Sequence, residues 1–238
     1  MNLSIIIPTL NERDSLPLLF DEFLPVCKEL NEKNFEVELI IIDDNSNDGT
    51  QQFVREYSTN SELKIKLIER KERGLATAVI RGFRETNSEL LCVMDADLSH
   101  PPSLIPQLAE NSKSFDVVLP CRNMPNGGAE EWPFLRKLIS RIATSLVKFI
   151  NIKARDPMSG FFLIHKKVID GVELNPIGYK ILLEILVKGK YKNYIEVPYI
   201  FRNRATGNSK MSNKIILQYL KHLWKLKKWQ KKNKPAVL

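Results

Sequence analysis

The chain has 238 residues, 43% of them apolar, with ordinary numbers of glycine and proline; this suits one large folded domain with a real core and excludes a disordered or fibrous chain. Its three cysteines, Cys27, Cys92 and Cys121, are widely spaced and match neither a disulfide framework nor a CxxC metal site, which favours a reducing, cytosolic setting. The net charge of +8 is unevenly placed: nine lysines and no arginine or acid lie from Lys210 onward, leaving −1 on the first 209 residues, so the tail is expected to meet something anionic.

Residues 1–5 lack the basic start and cleavage site of a secretory signal. No run reaches the roughly 18 apolar residues that span a bilayer, so the expectation is a protein without a transmembrane segment.

In chain order, residues 3–7 form a β-branched run ended by Pro8, as in a strand buried on both faces. Residues 11–15 offer helix caps before a periodic segment at 16–30. A second buried strand, 37–42, stops at the acidic and amide-rich turn 43–49. A helix at 50–57, a strand at 64–68, a helix at 74–86, a strand at 90–94, a short helix at 103–111 and a strand at 117–119 follow. Strands alternating with helices predict crossovers and a doubly wound, mainly parallel α/β sheet flanked by helices.

Beyond this, residues 132–150 carry apolar positions at helical spacing, with Arg136, Lys137, Ser140 and Arg141 elsewhere on the helix. Residues 178–187 read as a helix, 195–201 as a strand, 203–212 as a basic loop and 215–229 as a final amphipathic helix. The organisation read from this is one catalytic-type domain over residues 1–212 and a basic amphipathic helix and tail over 213–238.

Ligands of such sheets bind beyond the carboxyl ends of the strands. Residues 8–12, 43–48 and 95–99 each follow a predicted strand directly and are therefore expected to line one crevice. Asp95-Ala96-Asp97 is the strongest local signal. Two carboxylates separated by a small residue can grip Mg²⁺ or Mn²⁺, ions that take few protein carboxylates and complete their shells with water and phosphate oxygens. The plainer reading, turn carboxylates ahead of Pro101 and Pro102, loses weight because of that position. Asp43 and Asp44 form a second acidic pair, where one can cap the turn and the other can read a nucleoside. Arg122, Arg204 and Lys210 follow predicted strands and suit a diphosphate.

The segment Ile5-Ile6-Ile7-Pro8-Thr9-Leu10-Asn11-Glu12, the strand end Ile42-Asp43-Asp44 and the acidic triplet together resemble family 2 glycosyltransferases of the GT-A fold. Arg155 to Phe161, Gly178 to Leu186, and Glu196 to Phe201 with Arg204, Gly207, Ser209 and Lys210 narrow the similarity to dolichol-phosphate mannosyltransferases. The resemblance runs from about residue 3 to residue 220. It implies donor contacts at Pro8, Leu10, Glu12, Ile42, Asp44, Asp95, Ala96, Arg122, Arg204 and Lys210. It also implies metal contact at Asp97 with Ser99 nearby, and an acceptor-phosphate site at Arg136 and Ser140. Leu10 stands where the family carries an aromatic, Ser99 where it often carries glutamine, and Ala76 where a second glycine is common.

The reaction implied is inverting transfer of mannose from a GDP-mannose donor to a polyprenyl (dolichyl) phosphate. Asp97 is the main catalytic residue; Asp156 is a candidate base, against a reading as the turn before Pro157. Transfer from UDP-glucose to the same lipid is the rival, and a non-catalytic nucleotide- or RNA-binding protein the rival of another class. Ile215, Ile216, Tyr219, Leu220, Leu223, Trp224 and Leu226, edged by lysines, fit an interfacial helix on anionic lipid or a core-packing helix with a solvated lysine end rather than a nucleic-acid surface, and an insoluble lipid acceptor favours the first. The expected setting is the cytoplasmic face of a membrane, with a membrane subunit left open as a partner. His100 and His165 are read as structural.

Overall fold

A computed structural model of the chain describes residues 1–130, 143–178, 180–203 and 213–233. In chain order the elements that matter are β1 (Asn2–Thr9), α1 (Leu16–Glu32), β2 (Glu36–Asp43), α2 (Thr50–Asn60), β3 (Ile65–Glu69), α3 (Leu75–Arg84), β4 (Leu90–Val93), α4 (Ile105–Ser112) and β5 (Val117–Cys121). These are followed by β6 (Gly128–Ala129), β7 (Phe162–His165), α5 (Ile181–Lys188), β8 (Tyr194–Pro198), β9 (Ile200–Phe201) and α6 (Asn213–Asn233). Seven strands form one sheet in the order β3-β2-β1-β4-β7-β5-β8. All its pairings are parallel except those of β7, so the doubly wound, mainly parallel sheet is present.

The two cores follow from the alternation of side chains along a strand. Ile5 and Ile7 of β1, with Leu39 and Ile41 of β2, pack under Leu16, Leu19, Phe20 and Phe23 of α1. Ile6, Ile40 and Ile42 face the other way, toward Ala78, Val79 and Phe83 of α3. Each fully buried Ile, Leu or Phe contributes about 1.5–3 kcal/mol. Gly82 lets α3 lie close on β1: a Cβ there would stand 2.5 Å from Cγ2 of Ile6.

Four boundaries differ from the sequence expectation, each for a local reason. Pro8 does not end β1. Thr9 O accepts from Asp44 N–H and Ile6 O from Met94 N–H, so Ile6 and Pro8 face β4 while Thr9 faces β2. The β1–β4 pairing stops at Ile6, and the N–H that proline lacks falls where no ladder bond is needed.

Helix α5 begins at Ile181 rather than 178, because Gly178 has φ +71°, outside helical backbone. The strand expected over 195–201 divides at Tyr199: its N–H bonds Cys121 O, while its C=O accepts from Gly128, handing the chain from β5 to β6. The fourth difference is β7, three apolar residues and a histidine with no alternation to mark it. The helix expected over 132–150 lies largely outside the described residues; its end is helical at 143–147 and tightens into a 3₁₀ turn at Lys148–Ile150.

Helix α6 packs Tyr219, Leu223 and Leu226 against Val147, Ile150 and Leu183. Tyr219 donates to Ala143 O at 2.6 Å, and Gln230 to Ile150 O at 2.8 Å. Among the described residues no helix is long and apolar enough to cross a membrane.

Candidate functional site

The antiparallel strand β7 is what assembles the site. Its first residue, Phe162, pairs with Val93, the last of β4. The segment that enters β7 therefore lies at the sheet edge from which the residues after β1, β2, β4 and β5 emerge. Asp156 and Gly160 arrive there beside Asp44, Asp95, Asp97 and Arg122.

The two neighbouring acids after β2 have separate duties. Asp43, fully buried, accepts from Ser46 N–H (2.9 Å) and Gln51 Nε2 (2.6 Å) on Oδ1, and from Thr9 Oγ1 (3.0 Å) and Ser46 Oγ (2.5 Å) on Oδ2. Both oxygens are spent on holding the turn. Asp44 is held from a distance instead: Gly74 N–H donates to Oδ2 at 2.6 Å, and Arg70 Nη1 stands 3.2 Å from Oδ1. That last pair is close enough to attract but misaligned for a hydrogen bond, and both atoms are buried without one. Burial pushes the Asp44 carboxyl up, opposed by the Gly74 N–H and the Arg70 charge.

The loop after β4 is fixed by its own side chains. Asp97 Oδ1 accepts from Ser99 N–H at 3.1 Å and from the Ser99 hydroxyl at 2.5 Å. Leu98 between them takes a left-handed φ of 63°, uncommon for so bulky a residue. Strain of this kind persists where surrounding bonds over-determine it. His100 Nδ1 accepts the Asp95 N–H at 3.0 Å, and its ring stacks on Phe161 at 5.1 Å. His100 thus anchors the loop, in keeping with a structural role. The Asp95 side chain keeps 28% of its exposure and that of Asp97 is nearly buried.

Arg122 and Asp156 form a fork: Nε donates to Oδ2 at 2.6 Å and Nη2 to Oδ1 at 2.8 Å. Asp156 is 2% exposed, so both its oxygens serve one guanidinium in a bidentate pair. This raises the Arg122 pKa despite the opposing effect of burial.

Pro8, Ile42 and Ala96 are buried at the carboxyl ends of β1, β2 and β4. Leu10 is 40% exposed at the crevice mouth. Glu12 binds Thr50 Oγ1 through its N–H and Ser15 Oγ through Oε2, locking the β1–α1 loop to α2. Arg136, Ser140, Arg204 and Lys210 lie outside the described residues. Among the described residues no three His, Cys, Asp or Glu side chains converge as a metal cage. Asp95 and Asp97 as a two-carboxylate set fit an ion of the Mg²⁺ kind, which fills its shell from water and phosphate.

Sequence reasoning missed Arg70, Gly160 and Lys180. Arg70 directly follows β3, so the strand-end rule that selected Asp44 and Asp95 selects it too. At Gly160 a Cβ would stand 3.3 Å from both Asp95 carboxylate oxygens; nothing in the sequence says which carboxylate it meets. Lys180 enters the same field of charges as Arg122, Asp156 and Asp95.

The Glycosyl transferase family 2 model matches residues 4–172. The chain is 46% identical to a dolichol-phosphate mannosyltransferase of Pyrococcus furiosus over 97% of its own length and 65% of the relative's, so it spans just under two thirds of that protein. It is 37% identical to the Saccharomyces cerevisiae dolichol-phosphate mannosyltransferase, over 94% of this chain and 86% of that one. Among solved structures, mannosyl-3-phosphoglycerate synthase from Rubrobacter xylanophilus superposes with a TM-score of 0.68 at 15% identity, over 100% of this chain and 77% of that one. Glucosyl-3-phosphoglycerate synthase from Mycobacterium tuberculosis, in complex with Mn²⁺, UDP-glucose and glycerol 3-phosphate, does so at 0.64 and 16% identity, over 92% and 76%. At such identities these two share the fold.

Proposed function

The chain belongs to glycosyltransferase family 2, and from that premise we propose that it moves mannose from GDP-mannose to a polyprenyl phosphate such as dolichyl phosphate, with inversion at the sugar. The observation that carries this reading is the convergence of Asp44, Asp95, Asp97 and the Arg122–Asp156 fork at one sheet edge, in a chain 46% identical to a dolichol-phosphate mannosyltransferase.

In this reading Asp44, pinned by Gly74 N–H and Arg70, meets the nucleoside, with Leu10, Glu12 and the backbone of Pro8, Ile42 and Ala96 around it. Asp95 and Asp97 are the residues that would hold Mg²⁺ or Mn²⁺. When bound, the divalent ion neutralises the charge that builds on the departing diphosphate. Ser99 acts through Asp97, because its hydroxyl already donates to that carboxylate. Arg122 faces the diphosphate as a preorganised cation, and Arg204 and Lys210 join it. Asp156 is assigned to positioning Arg122 rather than to proton abstraction, since both its oxygens are engaged.

A phosphate oxygen of the acceptor attacks the anomeric carbon, the bond from that carbon to the diphosphate oxygen breaks, and GDP leaves with the electron pair. The attacking oxygen is anionic at neutral pH, so the step needs no base. Arg136 and Ser140 are assigned to the acceptor phosphate.

Residues 1–212 supply this chemistry, and residues 213–238 meet the lipid surface. Leu217, Leu220 and Trp224 are 67%, 44% and 62% exposed on α6, among Lys221, Lys225 and Lys228. Phe149, 62% exposed, lies under the Lys227 ammonium, 5.0 Å from its ring. Apolar side chains edged by lysines suit an anionic leaflet and support a peripheral position on the cytoplasmic face in this reading, alone or with a membrane subunit.

The deciding experiment offers radiolabelled GDP-mannose, UDP-glucose and related donors to the full chain with polyprenyl phosphate and Mg²⁺ or Mn²⁺. Label from GDP-mannose is expected in the lipid fraction. Label from UDP-glucose alone replaces the donor, and none from any donor sinks the reading.

A further inference from the structure

Helix α6 carries the lipid-facing side chains, yet its inward face is not wholly apolar. Beside Tyr219 and Leu223 on that face stands His222, 1% exposed, and opposite it on α5 stands Glu184, also 1% exposed. Glu184 Oε1 accepts from Asn175 N–H at 2.9 Å and from the Lys188 ammonium. Its Oε2 lies 3.6 Å from His222 Nε2. Neither that oxygen nor either imidazole nitrogen has a hydrogen bond among the described residues. Polar groups buried in this way are costly, so a reason for keeping them is needed.

The other contacts of α6 show what the pair adds. Tyr219 donates to Ala143 O, Lys227 to Phe149 O and Gln230 to Ile150 O, all carbonyls of residues 143–150. Against α5 the contact is apolar, through Leu183 and Val187. Among the described residues its exceptions are His222 at Glu184 and the Lys188 ammonium, 5.9 Å from the centre of the Trp229 ring. Apolar contact has no direction. A helix whose inward residues recur every three or four positions can slip by one turn, about 5.4 Å, and still bury them. At Glu184 such a slip would exchange the imidazole for Gln218, Tyr219, Lys225 or Leu226. A single buried polar contact opposes that exchange and so selects one register.

The register matters because α5 starts at the crevice. Lys180, just ahead of it, lies among the charges of Arg122, Asp156 and Asp95. A Cβ at Gly178 would stand 3.5 Å from Gln218 Oε1 of α6. A slip of α6 along α5 therefore displaces Leu217, Leu220 and Trp224 relative to the reacting groups.

We propose that His222 against Glu184 sets the register of α6 on α5 and so fixes the lipid-facing side chains relative to the crevice. His222 is then a positioning residue for transfer to an acceptor held in a membrane. The inference rests on the reading of the acceptor as a lipid met through α6.

The test uses the full chain with three substitutions. His222→Leu and His222→Phe remove the polar contact with two different shapes, and His222→Gln keeps a nitrogen donor toward Glu184. Circular dichroism and thermal melting establish folding. Each protein then receives GDP-mannose with polyprenyl phosphate in vesicles containing anionic lipid, or with a short-chain prenyl phosphate soluble in water. Register is read separately, as the distance between spin labels at Lys225→Cys on α6 and Lys192→Cys ahead of β8. A Cys27→Ser background leaves only the buried Cys92 and Cys121 as native thiols.

Wild type should give one distance, and the apolar variants a second one shifted by up to about 5 Å. Their kcat/KM for the vesicle-held acceptor should fall roughly ten- to a hundredfold, the scale of a small misplacement, while that for the soluble acceptor holds. His222→Gln should keep the single distance and most of the vesicle activity. Apolar variants with one unchanged distance and an unchanged ratio of the two rates overturn the proposal. So do apolar variants that lose both rates alike or do not fold, since the pair then serves stability alone. A wild-type chain that transfers mannose to neither acceptor removes the glycosyl-transfer reading, and the label distances then decide the register by themselves.

Discussion

Two carboxylates of the N-terminal crevice, Asp43 and Asp97, and two farther along the chain, Asp156 and Glu184, are restrained in opposite ways, with Asp44 built across the fold like the second pair. Asp43 is held chiefly by Ser46 and Gln51, three and eight residues away, and Asp97 by Ser99, two away. Asp156 is held by Arg122, 34 residues earlier, and Glu184 lies against His222 of α6, its Oε2 3.6 Å from Nε2. A locally built carboxylate keeps its geometry once its loop forms. A pair built across the fold keeps it only while two separate elements stay docked, so removing one partner is expected to move stability and function together in the second pair and chiefly function in the first.

The largest effect should come from the first region. Asp97→Ala is expected to reduce metal-dependent turnover on the order of a thousandfold, the scale of a lost preorganised charge. The loss of stability should be smaller than that of Asp156→Ala, because the change strands the N–H and hydroxyl of buried Ser99 rather than a buried charge. Full turnover by a folded variant would remove Asp97 from the metal site. Steady-state rates and a thermal melt on the same preparation decide it.

Asp156→Ala tests the contrast directly. Removing one partner of a buried ion pair costs about 3–5 kcal/mol, and here it strands the Arg122 guanidinium. Denaturant unfolding should register that loss alongside a fall in kcat. If Asp156 only positions Arg122, the wild-type dependence of kcat on pH carries no ionisation assignable to a catalytic base, and Arg122→Ala mimics Asp156→Ala. A variant that loses activity at unchanged stability, with a missing acidic limb, would restore the base.

How far each region was legible follows from the same distinction. The order of strands and helices up to β5 could be read because buried parallel strands are unbroken apolar runs, and the strand-end rule then placed Asp44, Asp95 and Asp97 at one edge. The division of labour between Asp43 and Asp44 could not be read, since Ser46 and Gln51 are visible neighbours whereas Gly74 N–H and Arg70 arrive from another loop. β7 escaped because three apolar residues and a histidine carry no period, and with it went the reason that Asp156 and Gly160 reach the crevice. The fork of Arg122 with Asp156, the contact of Gly160 with Asp95 and the approach of Lys180 are products of that one antiparallel strand and of the turn at Gly178.

Glu184 sharpens the comparison through pH. Burial raises its pKa most strongly, yet contacts with His222, Lys188 and the Asn175 N–H together outweigh it and hold the carboxyl below its ordinary value. The sign follows from linkage. A depressed folded value contributes stability in full above the unfolded pKa of about 4.3, and that contribution is lost as pH falls through the folded value. Wild type should therefore lose stability on acidification below about pH 5 more steeply than Glu184→Gln, as read from denaturant midpoints across an acid series. Equal slopes would show that the docking of α6 on α5 does not depend on this charge.

The smallest effect on stability, and the clearest separation of the two faces of α6, is expected from Trp224→Ser. Tyr219, Leu223 and Leu226 pack inward, whereas Trp224 is 62% exposed, so its loss should change unfolding free energy by less than about 0.5 kcal/mol. Its ring would bury apolar area only at a lipid surface, where roughly 25 cal/mol per Å² applies. Partitioning onto vesicles containing anionic lipid should then weaken roughly tenfold, and weaken again with salt as the flanking lysines are screened. The inward-facing Leu223→Ala should do the reverse, costing about 2–5 kcal/mol of stability with little change in partitioning while the protein stays folded. If both substitutions act on stability and neither on vesicle binding, α6 is a packing helix with solvated lysines and the lipid contact lies elsewhere on the chain.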